Sequence, residues 1–193
     1  MWLSDEQIKS IGFRSVGQGV QISSAALFYG AERIDIGSHS RIDAFSLISA
    51  GSGFVRLGRH VHVSAGAKLY GTAGIDLEDF AGVSVNSVLL SASDDFIQGH
   101  LTNPTIPDKF RMITRKGIVV NRHGLVGANS VLLPGSSIGI GGAIGANSLL
   151  SKPLTDFAIA MGNPARQIGV RSRELLEKLE AGLRLECSCF SQN

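Results

Sequence analysis

From Val120 to Lys152 the chain repeats in sixes, VNRHGL, VGANSV, LLPGSS, IGIGGA, IGANSL, LSK, and Val120, Val126, Leu132, Ile138, Ile144 and Leu150 open successive units without a slip. A six-residue period fits neither the 3.6-residue helix nor simple strand alternation. It is the signature of hexapeptide β-helix repeats, in which each unit supplies one short strand and a turn. Three units close one triangular coil. The opening aliphatic points into the prism, the fifth place is small (Gly124, Ser130, Ser136, Gly142, Ser148) because it shares that narrow interior, and Gly or Asn fall where corners need positive φ. The spacing predicts an all-β solenoid, a parallel β-helix.

Composition agrees with a tightly turned prism of small and branched side chains, since 24 glycines stand against nine Phe, two Tyr and one Trp. At 193 residues the chain is one domain. A formal charge of +2, with no basic stripe along one face, does not point to nucleic acid and suits a small partner. No run of 18 apolar residues suggests a membrane span, and the polar, acidic start MWLSDEQIKS is unlike a secretion signal, so a cytoplasmic protein is expected. Cys187 and Cys189 are too few and too peripheral for a disulfide framework.

Taken in order, Leu3 to Ile11 reads as a short helix, with Ser4 as cap, Gln7 completing a capping box and Gly12 ending it. Residues 1–15 form this N-terminal cap. The prism spans 16–168, with triplets opened by Val16, Ile22 and Phe28, then Ile36, Ile42 and Ile48, then Leu57, Val63 and Leu69, then Leu77, Val83 and Leu89. Eighteen openings in all predict about six coils, roughly 29 Å tall at about 4.8 Å per strand. After Leu89 the register breaks, and residues 93–117 form a charged excursion loop at one corner. A long loop interrupting a regular solenoid is more often functional than structural. Residues 169–193 hold a C-terminal helix and tail; Ser172 lies near the helix start, and Leu175, Leu176, Leu179 and Leu183 make a stripe that covers the prism's open end or packs on a neighbour.

The repeat, the mid-chain loop, the SK after the last unit and the GNPAR at 162–166 together resemble the hexapeptide-repeat acyltransferases, and within them the sugar acetyltransferases of the galactoside and lipopolysaccharide O-acetyltransferase type. The resemblance implies left-handed coiling, a homotrimer with sites in the clefts between prisms, and acetyl-CoA as co-substrate beside a sugar or nucleotide-sugar acceptor. It places the positions that touch the pantetheine and nucleotide of CoA on Ala128, Ala146, Ser151, Lys152 and Arg166. Small residues there let backbone amides approach the carrier, and Lys152 and Arg166 can meet its phosphates.

Acyl transfer from a thioester needs a base for the acceptor and a group to hold the oxyanion. In the galactoside-type enzymes the catalytic His closes a T-x-x-H run that opens the loop; here the run is Ser91, Ala92, Ser93, Asp94. Three accounts follow from this departure. In the first, His62, next to inward Val63 and therefore outward on a flat side, is the base; a similar VHVSAGA run occurs in related sugar N-acetyltransferases. In the second, Asp94 or Asp95 is the base, or orients a His or the sugar. In the third it is His123, although His39, His60, Phe80 and His123 share the fourth place of their units and should stack as a ladder on one corner. His100, Arg111, Arg115 and Lys116 lie in the loop as further contacts for phosphates or the acceptor. A zinc hydratase built on His60, His62 and His123, or a non-catalytic assembly prism, are the competing readings; no metal is expected.

Overall fold

A computed structural model describes residues 1–186; Cys187 and Cys189 lie outside the described residues. The chain winds into a parallel β-solenoid with three faces. Face one stacks Ser15–Val16, Ile34–Ile36, Val55–Leu57, Ile75–Leu77, Ile118–Val120 and Ser137–Ile138. Face two stacks Gln21–Ile22, Arg41–Ile42, His62–Val63, Gly82–Val83, Leu125–Val126 and Ala143–Ile144, followed by Ala158–Met161 and Arg166–Val170. Face three stacks Leu27–Tyr29, Leu47–Ser49, Lys68–Tyr70, Val88–Leu90, Val131–Leu132 and Leu149–Leu150. Six coils are complete, and a seventh opens with Leu154, bridged to Ile138, and the strand Ala158–Met161. The sixes do not count this last turn because PLTDFAIA has lost their pattern.

All six openers from Val120 to Leu150 are buried, and so are the five small residues at the fifth place. The core is a set of aliphatic columns, such as Ile42, Val63, Val83, Val126 and Ile144, in unbroken register on face two. Two openers of the first coil, which has a neighbour on one side only, are less covered: Val16 is 38% exposed and Phe28 is partly buried. The buried serines need partners for their hydroxyls, and the neighbouring coil supplies them: Ser130 Oγ donates to the Gly145 carbonyl (2.9 Å) and accepts from the Ser148 amide (3.1 Å). Ser130→Ala leaves the Ser148 amide and the Gly145 carbonyl one partner short inside the prism, so chemical denaturation should show a loss of about 1–3 kcal/mol.

Helix α1 (Asp5–Ile11) has the expected Ser4–Gln7 capping box and ends on Gly12 in the left-handed region. The excursion leaves the stack between the fourth and fifth coils without opening it, because Ile75–Leu77 pairs directly with Ile118–Val120. Its base is a hairpin, Ala92–Asp94 antiparallel to Ile113–Arg115.

At the corner between faces one and two the expected ladder forms. His39, His60, Phe80 and His123 all have φ of 55–64°, and their rings stack at 5.1, 5.3 and 4.6 Å between centroids. Ring stacking, on the order of 0.5–1.5 kcal/mol per pair, offsets the cost of placing bulky residues in the left-handed region. Burial, then the neighbouring His39, pushes the His60 imidazole down from its ordinary value.

Helix α2 (Arg173–Glu186) does not cover the open end of the prism. It lies against this ladder, because the buried Glu180 reaches His123 Nε2 (2.6 Å) and pairs with Arg122 and Arg184, while Arg171 donates to the carbonyls of His123 and Gly141. Burial alone would raise the Glu180 carboxyl; the bonds from His123 and Arg184 outweigh it and hold the carboxyl below its usual range. A lowered carboxyl favours docking above its free value and loses that contribution as pH falls through the docked one. Hydrogen exchange should therefore show α2 protected at neutral pH and released, ahead of the coils, as the pH falls below the ordinary carboxylate range.

Candidate active site

His62 projects from face two, 47% exposed, where a residue next to an inward Val must point. Its Nε2 lies 2.8 Å from Asp43 Oδ2, one coil below. Asp43 Oδ1 accepts from Arg41 Nε at 2.7 Å, and the Arg41 guanidinium sits 4.9 Å over the Trp2 ring. Partial burial pushes the Asp43 carboxyl up, but the bonds and charges of Arg41 and His62 reverse that and keep it below the usual carboxylate range. An ionised Asp43 only accepts, so Nε2 of neutral His62 carries the proton and Nδ1 keeps a free lone pair. An oriented imidazole with an open nitrogen is the geometry of a general base.

Asp43 was missed in the sequence. The signal for it is the coil length: 19 residues separate it from His62, and only the stacked register makes the two neighbours.

The two loop aspartates occupy different settings. Asp94 accepts from the Asn103 amide (3.0 Å) and from Arg111 (2.9 Å), which in that order hold its carboxyl below the ordinary value. It faces a cavity of about 300 Å³ shared with Thr72, Ser93, Arg111 and Arg115. Asp95 turns inward on the loop, accepting from the amides of Gln98, Ile97 and His100 and from His100 Nδ1 at 2.8 Å, and its carboxyl is held far below the usual range by those bonds, Gln98 first. Such carboxylates are weak bases at neutral pH and good acceptors for an amine or a hydroxyl. Within one chain no hydrogen bond joins Asp94 to His62: the hairpin leaves the corner between faces three and one, and His62 stands on face two.

The positions assigned to CoA fall into one seam and one hollow. Ala128 and Ala146 occupy the same corner, between faces two and three, on successive coils, each followed by an Asn of positive φ (54° at Asn129 and Asn147). Ser151, Lys152 and Arg166 line a cavity of about 370 Å³ at the C-terminal end of the prism, with Pro164 and Ala165 beside them. The histidines weighed for zinc separate, His60 and His123 into the ladder and His62 onto face two, and among the described residues no group of three or more His, Cys, Asp or Glu could hold a metal ion. Among the described residues no helix is long and apolar enough to cross a membrane.

No protein-family model matches the chain. It is 32% identical over 176 residues to the dTDP-4-amino-4,6-dideoxy-D-glucose acyltransferase of Escherichia coli, covering 91% of this chain and 92% of that protein. AntD, an N-acyltransferase from Bacillus cereus, superposes with a TM-score of 0.90 at 36% identity over 95% of this chain and 97% of its own, in a crystal structure with dTDP-4-amino-4,6-dideoxyglucose and coenzyme A. A second AntD structure holds dTDP and 3-hydroxybutyryl-CoA and gives a TM-score of 0.91. With a solenoid of sixes and relatives matched over nearly their whole length, the chain belongs to the hexapeptide-repeat sugar acyltransferases and is an acyltransferase.

Proposed function

We propose that the protein moves an acyl group, with acetyl the first choice, from its CoA thioester to the amine of a dTDP-linked 4-amino-4,6-dideoxy sugar, by direct transfer in a ternary complex. The observation that carries this is the likeness to AntD, 36% identical over 95% of the chain and crystallised with that sugar nucleotide and CoA. The carrier lies along Ala128 and Ala146, with its phosphates at Ser151, Lys152 and Arg166. Asp94 accepts from the sugar amine and orients it, Asp95 shapes the loop that presents Asp94, and His62, oriented by Asp43, takes the proton as nitrogen attacks the thioester carbon. The C–S bond then breaks and the thiolate of CoA is protonated.

AntD has been crystallised with replacements at residues it numbers Ser84 and Asp94, and this chain carries Ser84 and Asp94 at the same numbers. Ser84 follows inward Val83 on face two, one coil above Ser64. Its hydroxyl is a candidate donor to the thioester oxygen as negative charge develops there. In the sequence Ser84 is hidden among the many serines that fill such places in the prism. Asp94 and His62 lie apart within one chain, which supports a homotrimer in which one copy's loop meets another's face two. A cytoplasmic site and a role in making a surface polysaccharide complete the reading.

The test is release of free CoA thiol from acetyl-CoA on adding dTDP-4-amino-4,6-dideoxyglucose, with mass spectrometry of the product. Stoichiometric thiol and amide are expected. Absence of both with every amino-sugar nucleotide tried, from a protein that also fails to bind CoA, sinks the reading.

A further inference from the structure

Phe45 is held at a φ of 61°, a conformation that disfavours bulky side chains, and its ring is 74% exposed. The other bulky residues with positive φ are compensated. His39, His60, Phe80 and His123 stack in the ladder, and Phe157 is 8% exposed with the Arg173 guanidinium 5.4 Å from its ring. Phe45 sits on a different corner, between faces two and three, where the coils above place Gly66, Asn86, Asn129 and Asn147, all residues that accept the left-handed region readily. A glycine or asparagine would fold better here and expose no ring. Nothing among the described residues accounts for the phenyl group, so its partner lies outside them.

Three features of its surroundings identify that partner. The corner is the same seam that carries Ala128 and Ala146 higher up, so whatever lies on Phe45 lies in line with the acyl carrier. Arg41 is four residues earlier in the same coil, at most about 13 Å away along the chain, half exposed and fixed by Asp43, so a positive charge stands ready within reach of the ring. The equivalent places in the adjacent coils hold Ala25, Gly66 and Asn86, all small or polar, so no second ring stands in line with Phe45 along the corner.

We propose that the Phe45 ring is the platform on which the base of the nucleotide-linked acceptor stacks, with Arg41 beside its diphosphate. The inference rests on the nucleotide-sugar reading and adds the residue that recognises the nucleotide. Base stacking on an aromatic side chain gives roughly a ten-fold or larger gain in affinity.

The test is calorimetric titration of dTDP and, separately, of CoA into the wild type, Phe45→Asn and Phe45→Tyr, with light scattering for assembly and thermal melting for stability. Asn suits the left-handed corner, so Phe45→Asn should melt at the same temperature or higher, keep its assembly and its CoA affinity, and bind dTDP about ten-fold or more weakly. Phe45→Tyr should stay within about three-fold of wild type, since it keeps the π-face. Unchanged dTDP affinity in Phe45→Asn overturns the proposal while leaving the acyltransfer reading intact, provided the wild type binds both ligands. Loss of assembly in Phe45→Asn overturns it by assigning the ring to a contact between copies. A wild type that binds neither dTDP nor CoA removes the function reading first, and this inference with it.

Discussion

Replacing His62 with Ala should lower kcat/KM by about 10²- to 10⁴-fold, the span that a positioned general base contributes. The side chain is 47% exposed and projects away from the aliphatic column of face two, so the melting temperature and CoA affinity should hardly move. That combination, lost rate with intact fold and carrier binding, is what separates a base from a structural histidine. The same change at His123 has the opposite profile: its ring is stacked on Phe80 and bonded to Glu180, so His123→Ala should destabilise the α2 contact first. The Asp43→Asn variant sharpens the test. An amide can donate as well as accept, so it no longer forces the proton onto Nε2, and part of the population presents Nδ1–H to the acceptor. The expected loss is intermediate, and raising the pH should not recover it, because the fault is the tautomer and not the protonation state. Rates for His62→Ala within a few-fold of wild type would move the base elsewhere, with His100 the next choice.

The prism was legible because its physics is local and repetitive. Each opener from Val120 to Leu150 needs only to face inward, and each fifth residue needs only to be small, so a one-dimensional pattern specifies a three-dimensional column. The corner ladder was legible for the same reason: once the units are aligned, His39, His60, Phe80 and His123 take equivalent places. Contacts that cross coils without repeating were not legible. Asp43 becomes the partner of His62 only through a register of 19 residues in a coil of uneven length, and Glu180 finds His123 from 57 residues away. The placement of α2 shows the difference well. Its leucine stripe advertised an apolar face, yet a buried carboxylate seeking His123, Arg122 and Arg184 decides where the helix rests, and Leu175 and Leu179 remain 56% and 64% exposed. Loop geometry was the least readable part, since nothing in SASDDFIQGH announces that one aspartate faces a cavity while its neighbour folds back on the main chain.

That difference between the two aspartates yields the second large effect. The Asp95 carboxylate gathers the amides of Ile97, Gln98 and His100 and the His100 ring into one turn, closed by Gly99 at a φ of 86°. With Ala at this position the turn loses its common acceptor, Phe96 and Ile97 lose a fixed place at its tip, and Asp94, held by the Asn103 amide and Arg111, loses the rigid turn that follows it in the chain. Misplacing a substrate-orienting group by about 1 Å costs on the order of 10²-fold, so kcat/KM for Asp95→Ala should fall by about that factor. Thermal stability should change little, because the stack closes beneath the loop through the pairing of Ile75–Leu77 with Ile118–Val120. Asp95→Asn is the informative intermediate: its carbonyl oxygen can still accept from Ile97 and Gln98, while its amide cannot accept from the His100 ring. Activity should therefore rank Asp, then Asn, then Ala, and hydrogen exchange at residues 97–100 should follow the same order. If exchange in the turn rises as expected while kcat/KM stays at the wild-type value, the loop does not hold Asp94 for the acceptor, and the orienting group must be sought on face two at Ser84.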